Sequence, residues 1–216
     1  MNILFTLNDA FVPQVATCMC SIFENNKSAE NITVYLIGER ISQENQNKLK
    51  GFAKSYDRKV CIISINNIAD YIDFDFDTNG WSSIILARLF LDKLLPQEVD
   101  RILYLDGDTL VLEDIGSLFY SDLGDKVIGM CPEPTVDKSR KEFLALKEYP
   151  YHNSGVLLID LKKWRREEIG KKVIEFYQFH EGKLFAPDQD ALNGALKEQI
   201  FTLSISFNYF NIYDVY

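Results

Sequence analysis

Short apolar runs alternating with stretches of helical spacing set the tightest limit on how this chain can fold. Asn2 to Leu7, Ile32 to Ile37, Val60 to Ile65 and Ile102 to Leu105 are too short for helices and apolar enough for strands buried on both faces. Val12, Val15, Cys18, Met19 and Ile22 follow the first run at helical spacing. Ser42 reads as the cap of a helix reaching about Tyr56, and Ser82 to Leu95 carries Ile85, Leu89 and Leu95 as a helical stripe ended by Pro96. This βαβαβαβ order predicts an α/β protein built on a doubly wound, mostly parallel sheet with right-handed crossovers. Beyond Asp108 the order is less regular. Val127 to Met130 is expected as a strand, Ser139 to Lys147 as a short helix and Gly155 to Leu161 as a buried strand. Lys162 to His180 and Asp188 to Leu196 read as helices, and Ile200 to Ser204 as a closing strand. No repeat, low-complexity tract or Gly/Ser linker divides the 216 residues, so a single domain spanning 1–216 is expected.

The fourth strand runs straight into Asp106-Gly107-Asp108. In extended backbone the i, i+2 spacing points both carboxylates to one side. Acids at the carboxyl end of a buried parallel strand lie where open α/β sheets bind ligands. Two hard oxygen ligands there suit Mg²⁺ or Mn²⁺ held jointly with a substrate's phosphates, although Asp and Gly are also ordinary turn residues. The net charge of −9 argues against nucleic acid or an anionic membrane as partner. A diphosphate remains compatible with an acidic chain if a cation bridges the two. The first strand ends in Thr6-Leu7-Asn8-Asp9, without the glycines of a dinucleotide fold. Such a polar turn can receive a nucleoside base or ribose on its hydroxyl and amide groups.

Three further groups stand out. His152-Asn153-Ser154-Gly155 precedes the strongest late strand, either as a polar turn feeding it or as amide and hydroxyl groups for a sugar. Pro187-Asp188-Gln189-Asp190 opens a helix, where Asp188 can cap the first-turn amides or serve a site. Arg88 interrupts an apolar helix, as a surface residue or as a guanidinium reaching a phosphate or an acid. The four cysteines form no CxxC pair, and the two histidines are too few for a His-rich metal site. The cysteines read as small buried hydrophobes in a reducing cytoplasm. The first residues lack a signal peptide's basic start, and no stretch approaches an uncharged membrane span. A cytoplasmic protein is expected.

Taken together and in this order, these groups resemble glycosyltransferase family 8, the retaining nucleotide-sugar transferases that include bacterial lipooligosaccharide galactosyltransferases and glycogenin. The resemblance runs through essentially the whole chain. Leu86-Ala87-Arg88 resembles the family's donor-facing arginine helix, and Leu103-Tyr104-Leu105-Asp106-Gly107-Asp108 its DxD segment. Tyr151 to Ile159 is similar to its N-[SA]-G-[VF] stretch, and Asp188-Gln189-Asp190 to its D-Q-D motif. The resemblance implies a nucleotide-diphospho-sugar transferase fold of the GT-A type, with helices flanking a mostly parallel twisted central sheet. It implies Mn²⁺ (or Mg²⁺) on Asp106 and Asp108. It also implies a UDP-sugar donor on Thr6, Leu7, Asn8, Asp9, Arg88, Asp106, Gly107, Asn153, Ser154 and Asp188. Gln189 would lie under the anomeric carbon, with Asp190 the carboxylate to test as a covalent alternative. The reaction implied is transfer of glucose or galactose to a glycan acceptor. The family's later HxxGxxKPW-type segment, source of a third metal ligand, does not occur here. A C-terminally shortened transferase is therefore expected, with any peripheral membrane contact left to the missing part.

Two rivals belong to other classes. A haloacid-dehalogenase-type phosphatase wants Thr or Val four residues after its first acid, where Leu110 stands, and its acids near the N-terminus. A non-catalytic nucleotide-sugar-binding module is the alternative that a missing segment would favour. An EF-hand fails outright, since its third acid, sixth-position glycine and closing Glu are all absent after Asp106.

Overall fold

The computed structural model describes residues 1–210. Strand β1 (Asn2–Asn8) leads through a 3₁₀ turn into helix α1 (Val12–Asn25), then β2 (Thr33–Glu39), α2 (Gln43–Ser55) and β3 (Lys59–Ile65). Ser42 is the cap of α2, accepting from Asn45 N at 3.3 Å. After 3₁₀ turns at Ile68–Tyr71 and Ser83–Leu89 come α3 (Leu91–Leu94), β4 (Arg101–Leu105), α4 (Gly116–Phe119), β5 (Ile128–Pro132) and α5 (Lys138–Phe143). The remainder is β6 (His152–Asp160), α6 (Leu161–Arg166), α7 (Ile169–Phe179), α8 (Pro187–Leu196) and β7 (Ile200–Thr202).

The seven strands form one sheet in the order β3-β2-β1-β4-β6-β5-β7. It is mostly parallel, as expected, but β6 runs antiparallel to both of its neighbours. Alternating side chains feed two cores. Leu4, Ile102, Tyr104, Leu157 and Ile159 pack with Trp164, Val173 and Tyr177 on one face. Ile3, Phe5, Leu103, Leu105 and Leu158 pack with Val15, Cys18, Met19 and Ile22 on the other. Each such side chain contributes about 1.5–3 kcal/mol on removal from water, an upper bound for chains that are already compact when unfolded. The four cysteines are free. Among the described residues, no helix is long and apolar enough to cross a membrane.

Four elements depart from the sequence expectation. The stripe over Ser82 to Leu95 is a tighter 3₁₀ turn followed by one short α-turn. Ile84, Leu86, Ala87, Arg88 and Leu89 are all buried there, so packing on every side overrides a single-stripe helix. The helix expected over Lys162 to His180 breaks at Glu168, whose φ of 52° turns the chain so that both Trp164 and Ile169 reach the core. Strand β6 starts three residues before Gly155, which puts His152, Asn153 and Ser154 on the sheet rather than in a loop. Helix α5 is shorter than expected because Ala145 and Lys147, at φ of 53° and 52°, end it. Residues 211–216 lie outside the described residues.

Candidate active site

The carboxyl ends of β1 and β4, the first residues of antiparallel β6 and the first turn of α8 meet at one edge of the sheet. A cavity of about 420 Å³ lies between them. Thr6, Leu7 and Asn8 line it from β1, and Arg88 from the 3₁₀ turn. Asp106, Gly107 and Asp108 line it beyond β4, Asn153 and Ser154 from β6, and Asp188 and Gln189 from α8. The fold thus gathers segments separated by up to 183 positions (residue 6 to residue 189).

Arg88 is the hub. Only 4% of it is exposed, and its guanidinium reaches Asp188 Oδ2 at 3.1 Å, Asp106 Oδ1 at 3.0 Å and the Ser154 carbonyl at 2.9 Å. It also donates to the Tyr104 hydroxyl, and its plane sits 4.1 Å above the Tyr104 ring centre. Burial alone would lower the guanidinium's pKa, but Tyr104 and the two carboxylates outweigh burial and raise it. The surface-arginine reading is therefore set aside, and so is the capping role for Asp188. Ala186 is the N-cap of α8 and has no side-chain cap bond. Asp188 turns instead to Arg88 and accepts from the Ser154 hydroxyl at 3.0 Å. Burial raises the Asp188 carboxyl's pKa, with Arg88 pulling the other way.

Tyr104 donates to Asp106 Oδ1 at 2.6 Å, so that one oxygen takes both the tyrosine and the arginine. The other, Oδ2, lies beside Gly155, where a Cβ would stand 3.1 Å away. Asp108 is exposed on the same turn. Asn153 is braced on both ends of its amide. Its nitrogen donates to Glu133 at 3.0 Å, and its oxygen accepts from Gly155 N and from Asn208, each at 2.7 Å. The Gln189 amide oxygen accepts from Ser154 N at 2.8 Å, and its nitrogen donates to the Tyr151 hydroxyl at 3.1 Å.

Two of the sequence candidates stand outside the cavity lining. Asp9 caps α2 from a distance, accepting from Ser42 N and the Asn45 amide, each at 2.8 Å. Those bonds hold its carboxyl below the usual range. Asp190 is almost fully buried behind the site. It accepts from Arg140 at 2.7 Å, from the Tyr151 hydroxyl at 2.6 Å and from Ala186 N at 3.0 Å, pinning the start of α8 to α5 and to the residue before β6. His152 is buried, with Nε2 2.9 Å from the Thr202 hydroxyl, and burial lowers its pKa to about 4. Phe11, Trp81 and Tyr104 line the cavity but were not singled out from the sequence. Tyr104 had a readable signal, a polar hydroxyl in an otherwise apolar strand two residues before the first acid. Among the described residues, no group of three or more His, Cys, Asp or Glu is arranged to hold a metal ion.

Known proteins match this chain over nearly its whole length. The profile of the family described as Glycosyl transferase family 8 matches residues 2–215. A protein of Haemophilus influenzae is 29% identical over 212 residues, covering 97% of this chain and 63% of its own length. The lipopolysaccharide 1,2-glucosyltransferase of Escherichia coli is 28% identical over 215 residues, covering 96% of this chain and 62% of its own. Among solved structures, the galactosyltransferase LgtC in complex with donor and acceptor sugar analogues superposes with a TM-score of 0.86 and 28% identity. That match covers 95% of this chain and 74% of LgtC. The chain therefore spans less than two thirds of the first two relatives. The central sheet flanked by helices is that of a GT-A glycosyltransferase.

Proposed function

The chain belongs to glycosyl transferase family 8, and on that footing we propose that it is a hexosyltransferase. It moves glucose or galactose from a UDP-sugar to a saccharide or glycan acceptor, with retention at the anomeric carbon and with Mn²⁺ or Mg²⁺ as cofactor. The observation that carries this reading is the convergence on one cavity of the paired acids, the polar end of β1 and the amide and carboxylate groups of Asn153, Asp188 and Gln189. The name of the Escherichia coli relative makes a lipopolysaccharide-type saccharide the first acceptor to try.

The donor set fits a hard divalent cation in part. Tyr104 and Arg88 occupy Asp106 Oδ1 and leave Oδ2 toward the bare Gly155, while Asp108 is exposed beside it. Two carboxylates of this kind, completed by diphosphate oxygens and water, suit Mn²⁺ or Mg²⁺. Bound there, the cation would act as Lewis acid and template for the departing diphosphate. The protein's own part is orientation. Thr6, Leu7 and Asn8 receive the nucleoside, and Asn153 and Asp188 receive the hexose hydroxyls. Arg88 holds Asp106 and Asp188 in register. The bond from the anomeric carbon to the phosphate oxygen breaks and its electron pair leaves with UDP. The acceptor hydroxyl forms the new bond on the same face and its proton passes to the departing phosphate oxygen.

Gln189 stabilises the oxocarbenium-like state rather than attacking it, because its amide oxygen is engaged by Ser154 and an amide is a poor nucleophile. A covalent role for Asp190 would require its three bonds to Arg140, Tyr151 and Ala186 to be dismantled first. The test is UDP release from UDP-glucose and UDP-galactose with MnCl₂, for the wild type and for Asp106→Asn and Asp108→Asn. Metal-dependent release that both variants abolish is expected. Release that persists unchanged in both refutes the assignment, and stoichiometric donor binding without release marks a binding module instead.

A further inference from the structure

Two large exposed aromatic side chains are carried by segments that border the cavity. Trp81 is 60% exposed and lines it, and Phe185, 67% exposed, immediately precedes Ala186 in the lining. Isolated exposed rings are ordinary, but these two are held by deliberate-looking backbone. The turn that carries Trp81 has left-handed residues at Asn79 and Gly80, with φ of 52° and 84°. It is closed by Trp81 N to the Thr78 carbonyl at 3.0 Å and by the Thr78 hydroxyl to the Trp81 carbonyl at 2.6 Å. Asp77 pairs with the segment before Phe185, its amide donating to the Gly182 carbonyl at 2.8 Å. The Asn79 side chain then donates to the Phe185 carbonyl itself at 3.0 Å, tying the two ring-bearing segments together. Behind Phe185 the Arg140 guanidinium, anchored on Asp190, lies 4.6 Å from the ring centre. The rings are therefore presented by a rigid rim at little ordering cost, which is how a preformed recognition surface is built.

We propose that Trp81 and Phe185 form the stacking platform for the pyranose ring of the acceptor, a neutral glycoside. This rests on the donor reading above, because it assigns the rim that the donor leaves open. The groups assigned to the sugar nucleotide are buried or half-buried inside the cavity, whereas the two rings stay reachable from solvent. An acceptor arriving from solvent meets them before it meets the anomeric carbon. A pyranose presents an apolar C–H face and a belt of hydroxyls, which suits an aromatic plane beside polar groups. The chain's charge of −9 favours a neutral saccharide over a polyanion.

The chain has two tryptophans, and Trp164 is fully buried, so the emission that responds to a solute at the rim belongs to Trp81. The protein is titrated with methyl β-galactoside and with methyl β-glucoside, each with and without UDP and MnCl₂, while UDP binding is followed by thermal shift. A saturable change in emission with at least one glycoside is expected. It should be lost in Trp81→Phe, and its midpoint should rise at least threefold in Phe185→Ala. Saccharide-dependent protection against thermal unfolding should weaken about tenfold in Trp81→Ala. If UDP with MnCl₂ protects the protein and neither glycoside perturbs the emission up to solubility-limited concentrations, the platform is refuted while the donor reading stands. If glycosides perturb the emission but UDP does not bind, the donor reading falls and takes with it the assignment of the bound glycoside as acceptor. Emission that responds to detergent micelles or an apolar peptide but to neither glycoside also overturns the proposal.

Discussion

Replacing Arg88 by methionine removes the cation shared by two carboxylates while keeping much of the side-chain volume. Asp188 is 6% exposed, so its carboxylate would be left buried without a counter-charge. Removing one member of a buried pair costs about 3–5 kcal/mol. The share from Asp106 is small because its side chain is 38% exposed and solvent screens it. For a chain of this size each kcal/mol moves Tm by roughly 2–4 °C, which gives a drop of about 6–20 °C. The pH dependence carries the sharper test. Burial already raises the Asp188 carboxyl above its ordinary 3.8, and Arg88 pulls it back. Without Arg88 the carboxyl rises further. A group whose folded-state pKa is raised contributes stability below its unfolded pKa and loses it as pH climbs through the folded one. The deficit of Arg88→Met should therefore be smallest near pH 4.5 and grow toward pH 7.5. Urea melts at pH 4.5, 6.0 and 7.5 measure it, and Arg88→Met combined with Asp188→Asn should recover at least half of the loss and flatten the slope. A deficit below about 1 kcal/mol, or one that does not change with pH, would falsify the hub assignment.

Other perturbations follow from the same geometry. In Gly155→Ala the new Cβ meets Asn153 Oδ1 at 2.9 Å and Asp106 Oδ2 at 3.1 Å, so metal-dependent UDP affinity should fall at least tenfold. Calorimetric titration checks it, and unaltered affinity means that Oδ2 is not used. Tyr104→Phe deletes the 2.6 Å bond to Asp106 and should cost about 1–3 kcal/mol of stability. It should also weaken Mn²⁺ retention in the presence of UDP, read from the free-ion signal in electron paramagnetic resonance; equal retention shows that Arg88 suffices. His152, held neutral by burial with a pKa of about 4, should show no imidazole titration by NMR between pH 8 and about 5. Its lowered pKa contributes stability above pH 6.5 that is lost as pH falls toward 4, and a normal midpoint would show the ring to be accessible.

Much of the frame was legible because strand burial leaves a mark that helix packing lacks. The runs at Ile3, Val34 and Leu103 are apolar where their strands are buried, whereas the run at Ile62 forms the half-exposed edge strand β3 and not the two-faced strand expected of it; all four are neighbouring parallel strands. The antiparallel course of β6 left no such mark, since a strand buried on both faces reads the same in either direction. Arg88 was hard to place because charge usually means surface, and only the partners at 104, 106 and 188, distant in sequence, make its burial tolerable. For the same reason Asp188 and Asp190 could not be told apart by spacing. Two residues of helical rotation, more than half a turn, send the first into the cavity and the second into a bonded anchor behind it. Trp81 escaped notice because its position depends on a turn fastened to residues about a hundred positions later.

The opposed directions of β4 and β6 have a consequence for biosynthesis. They bring the outgoing end of one strand beside the incoming end of the other, so the pocket is closed by parts of the polypeptide made far apart in time. Some 80 residues separate Asp108 from Asp188, and at about 5–20 residues per second a ribosome needs several seconds to cover them. Throughout that interval the guanidinium at 88 lacks one of its two carboxylates. A nascent or prematurely terminated polypeptide thus carries the paired acids without the groups that close the cavity opposite them, until translation has passed Gln189.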